Sequence, residues 1–270
     1  MKNNQGLPFY KYQGTGNDFI LLDHRAGPAI DLADEALINR LCDRHFGIGA
    51  DGLIALQHAP DLDFEMKYYN ADGREGSMCG NGGRCTVAFA DLLGIKKTHY
   101  RFLAADGLHE AYLRENGWVE LKMGDVNTVE TGADFYFLNT GSPHYVRFVD
   151  DVHAVNVVEK GREVRYNERF LAEGTNVNFA AEEGEGIAVV TYERGVEDET
   201  LSCGTGVTAS ALAAFIKKGL NSEAQARMPV RAKGGKLEVR FRKTPAGFSD
   251  IWLCGPTQLV FEGRWAPAGR

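Results

Sequence analysis

The sequence lacks several features that would define a class of function. Its 270 residues carry a net charge of −7 and contain no basic run, which argues against nucleic acid or an anionic membrane surface as the main partner. No apolar stretch approaches the roughly 18 residues that a membrane span needs. Residues 1–6 are polar, and no signal-peptide core follows them. We therefore expect a cytoplasmic protein.

Cysteine is also scarce, and its spacing excludes two common uses. An odd number of cysteines without close pairs argues against a secreted disulfide framework. No C-x2-C spacing occurs, and Cys79 and Cys85 are too far apart for a zinc knuckle. We expect no metal site, and functional thiols in a reducing compartment. The five cysteines are Cys42, Cys79, Cys85, Cys203 and Cys254.

What the sequence does contain is a repeated cysteine motif. Residues 78–85 read MCGNGGRC, and 124 residues after Cys79 the segment 202–209 reads SCGTGVTA. Each motif is followed by a small, apolar, alanine-rich run, which ends at Gly94 in the first copy and at Gly219 in the second. These runs predict two helices that are buried on most sides and closed by a glycine C-cap.

The glycines after each cysteine leave the first helical turn bare. Several backbone N–H groups and the positive end of the helix dipole therefore face whatever lies beside the sulfur. Such a position favours anions and lowers the pKa of a thiol from about 8.5 toward roughly 3.5–7.5.

A second repeat supports the first independently. After each predicted helix the chain reads strand, glycine break, strand, turn and strand, over residues 100–123 in the first copy and 228–254 in the second. This agreement predicts a duplicated half of roughly 120 residues. We expect domains at 1–124 and 125–260, a linker near 124–132, and an edge strand at 261–270 that returns to the first half.

Other segments carry local signals. Residues 34–46 have the apolar spacing of an amphipathic helix that stops at Gly47 and buries Cys42. Residues 174–179 read GTNVNF and resemble the turn at 14–19, GTGNDF, so we expect them to open the second half as that turn opens the first. The remaining β-rich runs predict strands at 9–12, 19–23, 52–57, 63–69, 135–139, 145–149 and 187–192.

Two thiols at two helix starts permit a specific chemistry. If approximate twofold symmetry makes the sulfurs face each other, one thiolate can remove a proton from a carbon atom while the other thiol delivers one to the opposite face. Other uses remain open. A cysteine at a helix start can be buried and inert, and the loop can cradle phosphate, although neither copy has a phosphate-loop motif. A disulfide-exchange pair is a further use, although C-x-x-C is absent.

The sequence resembles the diaminopimelate epimerase family nearly end to end. The resemblance implies an enzyme that interconverts LL- and meso-2,6-diaminopimelate, for lysine and peptidoglycan precursor synthesis, without a cofactor. In the related proline racemase and hydroxyproline epimerase group, the first cysteine motif typically has histidine where Asn81 stands. The matching segments are 14–19, 69–73, 78–82, Pro143-His144, Asn176, 192–195 and 203–206.

The family implies an α/β (α+β) fold of two pseudo-symmetric lobes, each a curved mixed sheet or barrel around a central helix, and a homodimer. Cys79 and Cys203 would be the acid and base. His144 and Glu193 would tune the pKa values of the thiols. The residues expected to hold the substrate are Asn17, Asn70, Gly80, Asn81, Asn176, Glu193, Arg194, Gly204 and Thr205.

Two departures from the family pattern bear on specificity. Ser142 stands where many members have asparagine, and Gly52 where some have glutamine. Both positions lie near the distal end of the substrate in the family. The alternatives to an epimerase of diaminopimelate are a proline or hydroxyproline racemase and, in another class, a non-catalytic binding or thiol-redox protein.

Overall fold

The protein forms two compact units. The structure is a computed structural model that describes residues 6–220 and 225–266. The first unit contains the described residues up to Val119 together with those from Pro256 onward, and the second runs from Glu120 to Gly255. Because each unit has its own series of paired strands and its own buried helix, we describe them one at a time.

The first unit is a mixed sheet with two helices. Strands β1 and β2 pair antiparallel, β2 and β3 parallel, β3 and β4 antiparallel, β4 and β5 parallel, and β5 and β6 antiparallel. The elements are β1 (Leu7–Gly14), β2 (Asn17–Asp23), α1 (Glu35–Cys42), β3 (Gly52–Gln57), β4 (Phe64–Asn70), α2 (Gly80–Leu92), β5 (His99–Ala104), β6 (Gly107–Leu113) and the start of β7 (Trp118–Lys122).

The second unit is built in the same way. Strands β9 and β10 pair antiparallel, β10 and β11 parallel, β11 and β12 antiparallel, β12 and β14 parallel, and β14 and β15 antiparallel. The elements are β8 (Val129–Thr131), β9 (Phe135–Asn139), β10 (Pro143–Phe148), a short 3-10 helix (Val152–Ala154), α3 (Val157–Arg165), β11 (Asn176–Glu183), β12 (Gly186–Glu193), β13 (Asp198–Thr200), α4 (Gly204–Lys217), β14 (Gln225–Ala232), β15 (Gly235–Thr244) and β16 (Gly247–Pro256).

The segment expected to return to the first half is described in part. Strand β17 (Gln258–Trp265) pairs antiparallel with β1. Phe261 contacts Phe9 edge to face, with 5.9 Å between the ring centroids. Residues 267–270 of the expected strand lie outside the described residues.

The order of pairings is the same in both units, and this confirms a mixed α+β fold with two equivalent halves. In each unit the order is antiparallel, parallel, antiparallel, buried helix, parallel and antiparallel. Each parallel connection before the buried helix also contains one outer helix, α1 or α3. The sequence signals had identified α1 and had assigned no element to residues 150–173.

Strand register corrects one expectation about the repeat. Phe19 pairs with Gly52 across β2 and β3, and His144 pairs with Asn176 across β10 and β11. Asn176 therefore corresponds to Gly52, and the expected match of 174–179 with 14–19 is wrong. The segment equivalent to 14–18 is 139–143, because it connects β9 to β10 as 14–18 connects β1 to β2. Glycine and threonine occur together before β10, at 140–141, and before β11, at 174–175. The pattern alone therefore does not determine which of these strands corresponds to β2.

The two buried helices form as their composition predicts. Ten of the thirteen residues of α2 and eleven of the fourteen residues of α4 are buried, so both helices are enclosed on most sides. After the helices Gly94 and Gly219 adopt φ values of 91° and 63°, which is the left-handed C-cap conformation that glycine accepts most easily. The small side chains let the surrounding strands approach the helix backbone closely.

Helix α1 is shorter than expected. It ends at Cys42 rather than Phe46, because the Asp43 carboxylate accepts hydrogen bonds from the backbone N–H groups of His45 and Phe46 and turns the chain. Phe46 is 78% exposed, while Cys42 is buried as predicted. None of the helices in the described ranges is long and apolar enough to cross a membrane.

Helix α4 offers a test of the buried-helix packing. Leu212 is fully buried, whereas Leu220, just beyond the helix, is 48% exposed. We expect Leu212→Ala to lower the free energy of unfolding by about 2–5 kcal/mol through lost burial and a cavity. Leu220→Ala should change it by no more than about 0.5 kcal/mol. Equal urea midpoints for the two variants would contradict this packing.

Candidate functional site

Each repeated cysteine is the N-cap residue of its buried helix. Cys79 precedes α2 with φ −98° and ψ 124°, and Cys203 precedes α4 with φ −109° and ψ 113°. The first helical bonds run from Gly83 N–H to the Cys79 carbonyl (2.7 Å) and from Val207 N–H to the Cys203 carbonyl (2.8 Å). The N–H groups of the first turn of a helix have no carbonyl partner within the helix, and such groups can bind an anion.

In the first unit, Cys79 lies beside two asparagines. Asn17 Oδ1 is 3.5 Å from Cys79 Sγ and accepts a hydrogen bond from Asn81 Nδ2 at 3.2 Å. Cys79 and Asn17 are half-buried, and Asn81 is buried. We call Asn17, Cys79 and Asn81 the first thiol cluster. The structure thus brings together three of the site residues predicted for this half of the chain.

A charged network fixes the other side of Asn17. Its Nδ2 donates to Asp51 Oδ2 at 2.7 Å, and Asp51 also accepts from Arg44 at 2.7 Å. Arg44 and Lys11 bind Asp18 as well. Burial raises the pKa of Asp18, but the hydrogen bonds and charges of Arg44 and Lys11 outweigh it and lower that pKa to about 2. Asp18 therefore stays ionised at neutral pH, and Asn17, which donates to Asp51 through Nδ2, keeps Oδ1 toward Cys79.

Arg84 is a site residue that the sequence signals missed. Its side chain is fully buried in α2 and donates to Asn81 Oδ1 at 2.9 Å and to Thr15 Oγ1 at 3.4 Å. It thereby holds the Asn81 amide with Nδ2 toward Asn17. The signal in the sequence was the one basic residue of a helix whose other charged residue, Asp91, lies in the last turn.

Asn70 lies at the exposed end of β4, next to Tyr68. The Tyr68 hydroxyl donates to Asn70 Oδ1 at 3.0 Å. The Tyr68 ring also fills the space at Gly52, where an added Cβ would lie 2.6 Å from Tyr68 Cε2 and 2.5 Å from the Tyr69 carbonyl oxygen. The glycine at position 52 is therefore a packing requirement of this chain, and Tyr68 takes the place of a longer side chain there.

In the second unit, Cys203 begins a chain of hydrogen bonds. Cys203 Sγ is 3.4 Å from Thr205 Oγ1, which is 2.8 Å from His144 Nε2. His144 Nδ1 is 3.0 Å from Asn178 Nδ2. We call Cys203, Thr205, His144 and Asn178 the second thiol cluster. Asn178 was not predicted, because its position below the helix start depends on the register of β11.

His144 is completely buried. Burial and the positive charge of Arg194 lower the pKa of His144 to about 3. The imidazole is therefore neutral at pH 7. The imidazole contacts the Thr205 hydroxyl, so an effect of His144 on the protonation of Cys203 is transmitted through that hydroxyl.

A separate group of side chains surrounds Arg194. Asn176 Nδ2 donates to Ser142 Oγ at 2.8 Å, and Asn176 Oδ1 accepts from the Arg194 backbone N–H at 2.9 Å. The Arg194 guanidinium is 3.4 Å from Ser142 Oγ and donates to the Glu173 carbonyl at 2.9 Å. The exposed guanidinium keeps donors for a carboxylate, which an arginine binds in a fork. We call Ser142, Asn176 and Arg194 the arginine cluster.

Glu193, the last residue of β12, precedes Arg194. Its Oε2 accepts a hydrogen bond from Thr200 Oγ1 at 2.8 Å. Asn70 pairs with Gly52, whose equivalent in the second unit is Asn176. Because the next residue, Val177, pairs with Tyr192, the residue after Tyr192, which is Glu193, corresponds to Asn70. Both residues end the strand that leads to a cysteine.

The other three cysteines are buried and inert. Burial raises the pKa of Cys42 and Cys85 to about 12 and that of Cys254 to about 11. These thiols stay protonated at neutral pH, and the burial of Cys42 agrees with the prediction for that residue. Among residues 6–220 and 225–266, no group of three or more His, Cys, Asp or Glu side chains is placed to hold a metal ion.

Structures of other proteins share this fold. A phenazine biosynthesis protein of the PhzF family from Bacillus anthracis superposes with a TM-score of 0.76 at 12% identity, over 97% of this chain and 99% of that one. A probable proline racemase from Agrobacterium radiobacter gives a TM-score of 0.69 at 17% identity, over 96% and 92%. At such identities the likeness concerns the fold alone.

Sequence comparisons are more specific. The family model for diaminopimelate epimerase matches residues 9–129 and 136–248. A diaminopimelate epimerase from Flavobacterium psychrophilum is 48% identical over 257 residues, covering 95% of this chain and 99% of that protein. One from Chlorobaculum tepidum is 41% identical over 258 residues, covering 93% and 98%. These matches extend over both repeated halves and both cysteine motifs, and the chain therefore belongs to the diaminopimelate epimerase family.

Proposed function

We propose that this protein interconverts LL- and meso-2,6-diaminopimelate, with Cys79 and Cys203 as the acid and base. The observation that carries the proposal is the equivalent placement of the two cysteines. Each is the N-cap of the buried helix of its unit, within contact of polar side chains that can set its protonation. The family relationship supplies the substrate.

The chemistry requires one proton to leave and another to arrive. The thiolate of one cysteine takes the α-proton, so that an S–H bond forms while the C–H electron pair moves into the substrate carboxylate. The thiol of the other cysteine then gives its proton to the opposite face of the same carbon. The configuration inverts, and no electrons are gained or lost overall.

The backbone of the helix starts stabilises the intermediate. Removal of the α-proton places negative charge on the carboxylate, and N–H groups at a helix start are donors for such charge. Each donor of this kind lowers the barrier by about 2.7–4 kcal/mol in comparable sites. Gly80 and Asn81 in one unit, and Gly204 and Thr205 in the other, are the proposed donors. This stabilisation requires neither a cofactor nor a metal ion.

The distal end of the substrate is assigned to polar side chains. Arg194 and Asn176 are the proposed partners of the distal carboxylate, since the arginine cluster keeps guanidinium donors exposed. Asn17 and Asn70 offer both amide donors and acceptors for the remaining polar groups of an amino acid. Glu193 belongs to the same substrate site by family relationship.

The proposed setting follows from the family. The two units are the proposed lobes, the assembly is a homodimer, and the location is the cytoplasm, where precursors of lysine and peptidoglycan are made. A proline or hydroxyproline racemase is the alternative outcome of a substrate test. Asn81 disfavours this alternative, because the proline racemase and hydroxyproline epimerase group typically has histidine at this position.

The first prediction concerns the two proposed catalytic thiols. We expect Cys79→Ala and Cys203→Ala each to lower kcat for epimerisation of diaminopimelate by at least about 10²–10⁴-fold, because each removes one proton-transfer group. Cys85→Ala is the matched control, since Ala209 stands at the same distance from Cys203. Near-normal turnover by either proposed catalytic variant, or a comparable loss in the control, contradicts the assignment.

The second prediction concerns thiol reactivity. In native protein near pH 7, iodoacetamide should modify Cys79 and Cys203 much faster than Cys42, Cys85 and Cys254, whose raised pKa values keep them protonated at that pH. Peptide mass spectrometry measures each rate separately. Equal and slow modification of all five thiols would favour a binding protein without thiol chemistry.

The third prediction concerns substrate recognition by Arg194. Arg194→Lys keeps the charge but removes the planar fork, so we expect KM for diaminopimelate to rise roughly 10–100-fold with a smaller change in kcat. Arg162→Lys on the exposed face of α3 is the control and should leave both constants near their normal values. A pure loss of kcat would place Arg194 in the chemical step and not in substrate binding.

A further inference from the structure

The amide of Asn178 has a defined orientation. Its Nδ2 is 3.1 Å from the Tyr145 carbonyl oxygen, which can only accept a hydrogen bond, and its Oδ1 is 2.9 Å from the Thr191 hydroxyl, which donates. Asn178 is fully buried, so these partners are not exchanged for water. The second hydrogen on Nδ2 then points at His144 Nδ1, 3.0 Å away.

This orientation fixes the tautomer of His144. Because Nδ1 faces a donor, it must carry a lone pair, and the neutral ring therefore has its proton on Nε2. Nε2 lies 2.8 Å from Thr205 Oγ1, so the imidazole donates to that hydroxyl. The low pKa of His144 agrees with a neutral ring at pH 7.

The hydrogen of the Thr205 hydroxyl therefore points away from His144. A hydroxyl that accepts from His144 still has one hydrogen to donate, and Cys203 Sγ lies 3.4 Å from it. A thiolate is the stronger acceptor, so this arrangement favours the ionised form of Cys203.

Cys79 has the opposite environment. Its neighbour is Asn17 Oδ1, an acceptor, because Asn17 Nδ2 is bound to Asp51. An acceptor beside sulfur favours the protonated thiol, which can donate to it. The side-chain contacts Asn17 Oδ1 at Cys79 and Thr205 Oγ1 at Cys203 are thus of opposite kinds.

Strand register shows where the two halves have diverged. The positions in the first unit that correspond to His144 and Asn178 are Phe19 and Ile54, both fully buried. The contacts at the helix starts agree: a Cβ at Gly206 would lie 2.4 Å from Asn178 Oδ1, and a Cβ at Gly82 would lie 3.1 Å from Ile54 Cδ1. The polar chain below Cys203 has an apolar counterpart below Cys79.

We propose that Asn178, oriented by Thr191, is a positioning residue that holds His144 as the Nε2–H tautomer and thereby makes Thr205 a donor to Cys203. In the substrate-free protein Cys203 is then the thiolate and Cys79 the thiol. The link to catalysis rests on the proposed two-cysteine function, whereas the tautomer and the order of ionisation are properties of the protein alone.

The surroundings of His144 combine apolar, polar and charged side chains. The elements packed around His144 place Leu138 on β9 and Asn176 on β11 beside it in register, and Arg194 is the charged side chain that acts on the imidazole. Glu193 is bound to the Thr200 hydroxyl, and the first turn of α4 carries no acidic residue. Burial and Arg194 therefore keep the imidazole neutral, and the contact with Asn178 sets its tautomer.

The first test reads the tautomer directly. In protein labelled with ¹⁵N-histidine, the His144 signals are assigned by their loss in His144→Gln. At pH 7 we expect an unprotonated Nδ1 and a protonated Nε2. In Asn178→Asp the oxygen that replaces Nδ2 should draw a proton onto Nδ1, while Asn156→Asp, at the exposed N-cap of α3, should leave His144 unchanged. A protonated Nδ1 in the unaltered protein overturns the proposal, even if the variant does not fold.

The second test reads the order of ionisation. The alkylation rates of Cys79 and Cys203 are followed against pH in the substrate-free protein, and Cys203 should reach half its maximal rate at the lower pH. Thr205→Val should move the Cys203 midpoint up by about one pH unit, since it removes a hydrogen bond to a charged group, and Thr205→Ser should restore it. A Cys203 midpoint at or above that of Cys79, or no shift in Thr205→Val, contradicts the proposal.

These experiments distinguish a failure of the proposed two-cysteine function from a failure of the role proposed for Asn178. If the tautomer and the midpoints are as expected but Cys203→Ala retains turnover, the two-cysteine function is wrong and the hydrogen-bond assignment stands. If the variants lose turnover but the tautomer is reversed, the function stands and the role given to Asn178 is wrong.

Discussion

The structure depends on one constraint, which is that a cysteine must begin a helix that is buried almost completely. Burying the start of a helix leaves several backbone N–H groups without partners in the helix, and such groups are costly unless something accepts from them. In each unit the residues after the cysteine are mostly small and buried, and a bound anion is the proposed acceptor for those N–H groups. The surrounding strands and the alanine-rich helix interior make the arrangement rigid.

Duplication of this unit explains both the likeness and the difference between the two thiols. The same order of strand pairings brings Asn17 and Ser142, Asn70 and Glu193, and the two cysteines to equivalent positions. The strand residues below the helix starts then differ: Phe19 and Ile54 in the first unit are apolar, whereas His144 and Asn178 in the second are polar. A symmetric scaffold can therefore hold two sulfurs in different protonation states, as a reaction with one acid and one base requires.

The sequence predicted those features that depend on local pattern. The buried helices, their glycine C-caps, and the strands at 52–57 and 135–139 could be read from composition and spacing alone. Features that depend on register could not. The expectation for 174–179 failed because a turn pattern of a few residues does not determine which strand it precedes, and the roles of Arg84 and Asn178 emerge only once the strands are paired. Helix α1 ended early because Asp43 captures two backbone N–H groups, a local contact that the apolar spacing does not reveal.

The central claim is that two thiols exchange protons at one α-carbon. The most direct measurement is the incorporation of solvent deuterium when purified protein acts on LL-diaminopimelate in deuterated water, followed by mass spectrometry and NMR. We expect one deuterium at the inverted α-carbon of the meso product, without the visible absorbance of a pyridoxal cofactor. Epimerisation without deuterium at that carbon, or no exchange at all in active and folded protein, would contradict the account.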